Sequence, residues 1–206
     1  MIRSAGVSGD RITAARTRTA HGLAGLAALA LLVFGVSQMG QGLYIKAKAQ
    51  VAQVMLERAW DKTMAGTNAA KPWPWADMWP VAKIEVPRLG KSAIVLAGAS
   101  GEAMAFGPGL MAGTPPPGAR GTAIIAAHRD THFRFLQELK QGDEIRITNA
   151  DGARHVFHVT AMAIVDADRS GIEPYGPGHH IALVTCYPFG ALTHGPLRYV
   201  VFGEEV

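Results

Sequence analysis

The sequence predicts an all-β domain, a sandwich or closed barrel, carried behind one membrane-spanning helix. Three observations carry that prediction. Beyond Val81, short β-rich runs recur with glycine and proline punctuation between them. Gly22 to Ile45 contains no charged residue, and as a helix it runs about 36 Å against a hydrocarbon core of about 30 Å. The chain of 206 residues is long enough for one globular domain with attachments.

The N-terminal elements follow from charge. Of the formal charge of +4, Arg3, Arg11, Arg16 and Arg18 against Asp10 place +3 in the first twenty residues, leaving +1 for the rest. The main domain is therefore almost neutral and shows no basic stripe interleaved with aromatics, so the chain's pI near 9.4 does not point to nucleic acid. An arginine-rich start ahead of an apolar run favours retention of the N-terminus in the cytoplasm, although Lys46 and Lys48 follow the run. Ala47-Lys48-Ala49 has the small-residue spacing of a cleavage site. The apolar run is longer than a signal-peptide core, however, so an uncleaved anchor is expected. The expected organisation is a basic cytoplasmic tail over 1–21, an anchor over 22–45, a stalk helix and Pro/Trp-rich strap over 46–80, and the main domain over 81–206.

Lys46 to Met64 is helical in composition, with Val51, Met55 and Ala59 as its apolar stripe at four-residue spacing. Pro72-Trp73-Pro74-Trp75 with Trp79-Pro80 cannot form a helix interior or a central strand. It predicts an extended strap whose indoles either lie over the domain or meet the membrane interface. The expected strands are Ala82 to Val86, Ala93 to Leu96, Gly121 to Ala126, Glu144 to Thr148, Arg154 to Val165, Ile181 to Thr185 and Leu197 to Phe202. Two short helices interrupt them. One covers Ser100 to Ala105 behind a serine N-cap, the other Thr131 to Lys140 with Phe135, Leu136 and Leu139. Gly107 to Gly118, rich in glycine and proline, is expected to be a fixed loop.

The last two strands hold the chemistry. If they pair antiparallel, the end of the first lies beside the start of the second, and Cys186 neighbours Arg198. Period two then puts Ala182, Val184 and Cys186 on one face, and Arg198, Val200 and Phe202 on one face. A single cysteine is most often an inert core filler. This one follows a strand and precedes a Tyr-Pro turn, where a side chain is presented rather than packed. It is the only cysteine, which excludes an internal disulfide.

Leu183-Val184-Thr185-Cys186, Arg198 within Pro196-Leu197-Arg198-Tyr199-Val200, and Ala127-His128-Arg129-Asp130 after Gly121 to Ala126 together resemble the signature of the sortases. These are cysteine transpeptidases that join proteins to surface structures. The wording AAHRDTHF, TCYPF and GPLRYVV is most similar to the proteobacterial branch often called class GN, and the resemblance covers roughly Trp73 to Phe202. It implies a closed sortase-type β-barrel of about eight strands with two short helices, the strap lying over the barrel surface, and no cofactor. It also implies a target protein bearing a Leu-Pro-x-Thr-Gly-like signal near its C-terminus and an amine acceptor of open identity, while the arginines ahead of the apolar run place the catalytic domain on the periplasmic side of the inner membrane.

On this resemblance the catalytic residues are His128, Cys186 and Arg198. A cysteine attacks as its thiolate and needs a nearby cation or base. His128 can pair with the thiolate, protonate the leaving amine and later deprotonate the incoming one. Arg198, permanently charged, can hold the substrate carbonyl and its oxyanion with a fork of donors. His132 and His194 flank the site in sequence and, with Thr185 and Tyr187 beside the cysteine, are the expected substrate contacts. His155, His158, His179 and His180 show no metal spacing; Asp166, Asp168 and Glu173 could form a calcium site of the kind some sortases have, but the expected reading is a solvated acidic loop and no metal. The competing reading is a non-catalytic envelope protein whose apolar groove binds peptides; a thioester at Cys186 separates the two. L,D-transpeptidases also use Cys and His, but they place an arginine just after the cysteine, where this chain has Tyr187-Pro188.

Overall fold

The computed structural model describes the backbone of residues 9–206 apart from Leu192 and His194, and side-chain surroundings from Leu29 onward. The chain divides into two compact units, residues 1–50 and 51–206. Residues 9–50 of helix α1 (Gly9–Met64) make up the described part of the first, the rest of α1 belonging to the second, and Leu29, Leu31, Phe34 and Ile45 stand exposed on it. Among the described residues no helix is long and apolar enough to cross a membrane. The predicted anchor begins at Gly22, so the surroundings of its first side chains lie outside the described residues.

The second unit is a closed barrel of eight strands: β1 (Pro80–Val86), β2 (Lys91–Ala97), β3 (Gly109–Leu110), β4 (Gly121–Ala126), β5 (Glu144–Asn149), β6 (Arg154–Asp166), β7 (His179–Cys186) and β8 (Leu197–Glu205). Around the barrel they run β1-β2-β3-β4-β7-β8-β6-β5. Alternate residues point inward, as the strand period demands, and Ile84, Ile125, Ile147, Phe157 and Leu183 fill the interior. Every predicted run is a strand, most of them longer at their ends. The eighth strand, β3, falls inside the expected loop. A Cβ on Gly109 would lie 2.2 Å from the Gly98 carbonyl oxygen, so glycine is what lets β3 approach β2.

The first predicted helix is α2 (Gly101–Met104), with Ser100 Oγ accepting from the Ala103 N–H at 3.2 Å. The second shrinks to a 3-10 helix, Arg134–Glu138. Phe133, Leu136 and Leu139 are all buried in the barrel core, and three residues per turn is the winding that stacks i, i+3 and i+6 on one face.

Two expectations for the segment ahead of the barrel need correction. The apolar stripe of the stalk lies one residue further along: Ala52, Leu56 and Trp60 are buried beside Ala59, whereas Val51 is exposed. Burial of Leu56 and Trp60, worth roughly 1.5–3 kcal/mol for a large apolar side chain, decides the face. They pack with Met78, Ile94, Leu96 and Ala103, and Trp73 and Phe106 lie against them. The strap covers the barrel through Trp73, which meets Phe106 edge-on at 5.0 Å, but Trp75 is 80% exposed. A turn closed by the Ala76 N–H on the Trp73 carbonyl carries Trp75 outward.

Candidate active site

Register builds the site. β7 and β8 pair antiparallel with Cys186 opposite Arg198. On the outer face Ala182 and Val200 join Ile124 of β4 in a third apolar cluster, with Val184, Val165 and Phe202 against it. β4 runs parallel to β7 and sets Ala126 beside Val184. Two positions along each chain come His128 and Cys186. The chains remain fastened there, because the Ala127 N–H donates to the Val184 carbonyl at 3.1 Å and Thr185 Oγ1 donates to the Ala127 carbonyl at 2.7 Å. The His128 carbonyl accepts from the Phe133 N–H at 3.1 Å. His128 is exposed, and Cys186 and Arg198 are half-buried.

The Arg198 guanidinium is oriented before any substrate arrives. Its Nη1 donates to the carbonyls of Gly195 at 2.8 Å and Leu197 at 2.9 Å. Its Nε and Nη2 have no partner among the described residues. Along the outer face runs a groove of about 310 Å³ lined by Met104, Met111, Ile124, Ile172 and Val184, in which Arg198 is the one charged residue among those described. The groove can bury an apolar peptide segment while offering donors to a single carbonyl.

The expected substrate contacts fare differently. Thr185 is 2% exposed and holds the backbone beside His128 from inside the barrel, so it positions the site and does not line it. The strand period that turns Cys186 out turns Thr185 in. Tyr187 is half-buried and stacks on Tyr199, with Phe189 edge-on to both. His132 lines a separate hollow with Lys91, Ser92 and Glu138. Burial holds its imidazole below the ordinary value, against a hydrogen bond with the Ala105 backbone, and the neighbouring His128 adds to the lowering. His194 lies outside the described residues.

Sequence reasoning passed over Arg129. It is 5% exposed and donates to the carbonyls of Pro188 at 3.0 Å, Thr193 at 3.2 Å and Ala191. The residue after His128 therefore holds the loop after Cys186. Its Nε faces Asp130 at 3.4 Å, so the described partner of Asp130 is Arg129. A charge next to a candidate catalytic histidine was the only available signal, since the partner carbonyls leave no trace in side-chain identity.

Residues 84–206 match the Sortase domain family. Sortase D of Bacillus subtilis (strain 168) is 28% identical over 124 residues, 60% of this chain and 62% of that protein, so the match spans less than two thirds of that relative. The Sortase D5 transpeptidase of Clostridium perfringens superposes with a TM-score of 0.60 at 20% identity, covering 76% of this chain and 99% of that one. Sortase C-1 of Actinomyces oris gives a TM-score of 0.55 at 25% identity over 62% of this chain and 72% of that one.

Proposed function

The chain belongs to the sortase family, and from that premise we propose that it is a membrane-anchored cysteine transpeptidase of the proteobacterial, class GN kind. It cleaves a Leu-Pro-x-Thr-Gly-like signal in a target protein and passes the new C-terminus to an amine. The observation that carries this reading is one rim of the barrel: Cys186 opposite Arg198 on β7 and β8, with His128 next to a backbone bonded to Val184 and Thr185.

The chemistry follows from that rim. The Cys186 thiolate attacks the scissile carbonyl, and the oxyanion forms beside the donors of Arg198 that its backbone bonds leave unused. His128 protonates the leaving amine as the C–N bond breaks, and a thioester remains on Sγ. An incoming amine then loses its proton to His128 and displaces the sulfur. The uncharged run Gly22–Ile45 behind four arginines supports an anchor with its N-terminus in the cytoplasm and the barrel on the periplasmic side of the inner membrane. The wording AAHRDTHF, TCYPF and GPLRYVV supports class GN.

The full-length chain in detergent, incubated with a pentapeptide library and a small amine and read by intact mass, tests this reading. A peptidyl adduct on Cys186 that the amine converts to product is expected. A library that leaves neither adduct nor cleaved peptide would argue for the idle peptide binder. Protease protection in spheroplasts checks the topology, with a barrel digested only after lysis counting against it.

A further inference from the structure

Acyl transfer needs a place for a second substrate, and the rim has two sides. One is the apolar groove beside Arg198. The other holds a hollow of about 350 Å³ lined by Arg129, Asp130, Arg134, Gln137, Phe189 and Gly190, none of which lines the groove. Asp130 lies two residues beyond His128, and Phe189 lies three beyond Cys186. The bonds from Arg129 to the Pro188, Ala191 and Thr193 carbonyls tie these two walls together. The hollow is thus built on the two segments that follow His128 and Cys186, held to one another by Arg129.

Its charges are of both signs. Asp130 is 66% exposed and gives only one oxygen, Oδ2, to Arg129, so Oδ1 remains for an ammonium group. Arg134 is exposed, and its guanidinium suits a carboxylate or phosphate. Gln137 adds a neutral donor and acceptor, and Phe189 an apolar wall. Three of the four Nη donors of Arg129 go to the loop, so its role here is to hold the shape. A simple alkylamine would leave Arg134 unanswered.

Resting on the transpeptidase reading, we propose that this hollow is the acceptor site, and that the acceptor is a primary amine carried a few atoms from a carboxylate or phosphate group. The ammonium gives one proton to water. As the amine attacks the thioester carbonyl, the C–N bond forms and the C–S bond breaks. The second proton passes to His128, which restores the imidazolium and thiolate pair.

Ligand-observed NMR on the unacylated full-length chain in detergent tests the site without the chemistry. The probes are β-alanine, 2-aminoethyl phosphate and propylamine. At least one of the first two should bind about tenfold more tightly than propylamine, and Arg134→Gln should erase the difference, as expected for one lost charge-assisted contact. The better of the two probes names the source as carboxylate or phosphate. Equal binding of all three, or a preference that survives Arg134→Gln and Asp130→Asn, overturns the assignment. On peptide-loaded enzyme, the ratio of amide to acid product cancels the rate of thioester formation, and the amine concentration giving equal products should rise about tenfold in Arg134→Gln. Selective binding without any thioester would sink the transpeptidase reading and leave the site. A thioester resolved equally by all three amines would sink the site and leave the reading.

Discussion

The groove on the outer face is floored by Ile124, Val184 and Val200 from three neighbouring strands, whereas the hollow, on the mouth side, is walled by Asp130, by Arg134 and Gln137 of the 3-10 helix, and by Phe189 and Gly190 of the loop that Arg129 holds through backbone carbonyls. The first depends on register. A slip of one residue between β7 and β8 would turn Cys186, Val184 and Ala182 inward together. The second depends on a few polar bonds, each worth little alone but costly when a buried partner is left unmade. One rim therefore joins a side that is rigid by repetition to a side that is rigid by individual contacts, and substitutions should act differently on the two.

The largest effect is expected where the sides meet. Cys186→Ala should abolish the thioester in intact-mass spectra, with a Tm close to wild type because only one half-buried sulfur is lost. Turnover in that variant would remove the basis for treating the rim as a reaction centre. Next comes the groove side, where Arg198→Lys keeps the charge and loses the planar fork. Loss of an oxyanion donor costs about a hundredfold to a thousandfold in rate, so kcat/KM should fall by about that much at unchanged Tm. A lysine variant within about threefold of wild type would mean that Arg198 supplies only positive potential.

The mouth side should respond through geometry. Arg129→Met leaves the Pro188, Ala191 and Thr193 carbonyls without their donor and frees the loop behind Cys186. Misplacement of a reacting group by an ångström can cost about a hundredfold, so kcat should fall by about tenfold to a hundredfold. Amides over 188–193 should exchange faster while those of β7 keep their protection. If exchange quickens equally in β7, the arginine supports the whole barrel, and the contrast between the sides fails.

The same contrast explains what the sequence disclosed. Period two exposed the strands, and the pattern of the closing hairpin alone put Cys186 beside Arg198. It also carried the information that Thr185 faces inward, which the expectation of a substrate contact overlooked. β3 escaped because two residues set by the close approach at Gly109 have no pattern. Phe133, Leu136 and Leu139 fit an α-helix as well as a 3-10 helix over so short a span. On the stalk, Val51, Met55 and Ala59 share the spacing of Ala52, Leu56 and Trp60, and only side-chain volume favours the second set. Arg129 and its carbonyls were beyond reach, because a bond to backbone is indifferent to the identity of its partner.

The smallest effect concerns how the mouth is fastened in acid. Arg88 Nε and Nη2 donate to the two carboxylate oxygens of Asp143 at 2.5 and 2.6 Å, and Nη2 also reaches the Glu138 carbonyl at the end of the 3-10 helix at 2.6 Å. The Lys140 N–H donates to the same carboxylate at 2.7 Å. Hydrogen bonds from Arg88 hold the Asp143 carboxyl below its ordinary 3.8, outweighing burial, which acts the other way. A carboxyl lowered by folding contributes stability that is fully present above its unfolded value and is lost as pH falls through the folded one. Asp143→Asn should therefore lower the Tm by about 2–4 °C at neutral pH, a small shift for a domain of this size. The gap from wild type should narrow below about pH 3.8 as the native carboxylate is protonated. Amide exchange over residues 134–139 should quicken in the same acid window, ahead of β4 and β7, because the fastening reaches the 3-10 helix and not the groove. A gap that stays constant down to the acid limit would place the stabilisation in the shape of the Asp143 side chain rather than its charge, and the mouth would then be no more acid-labile than the groove.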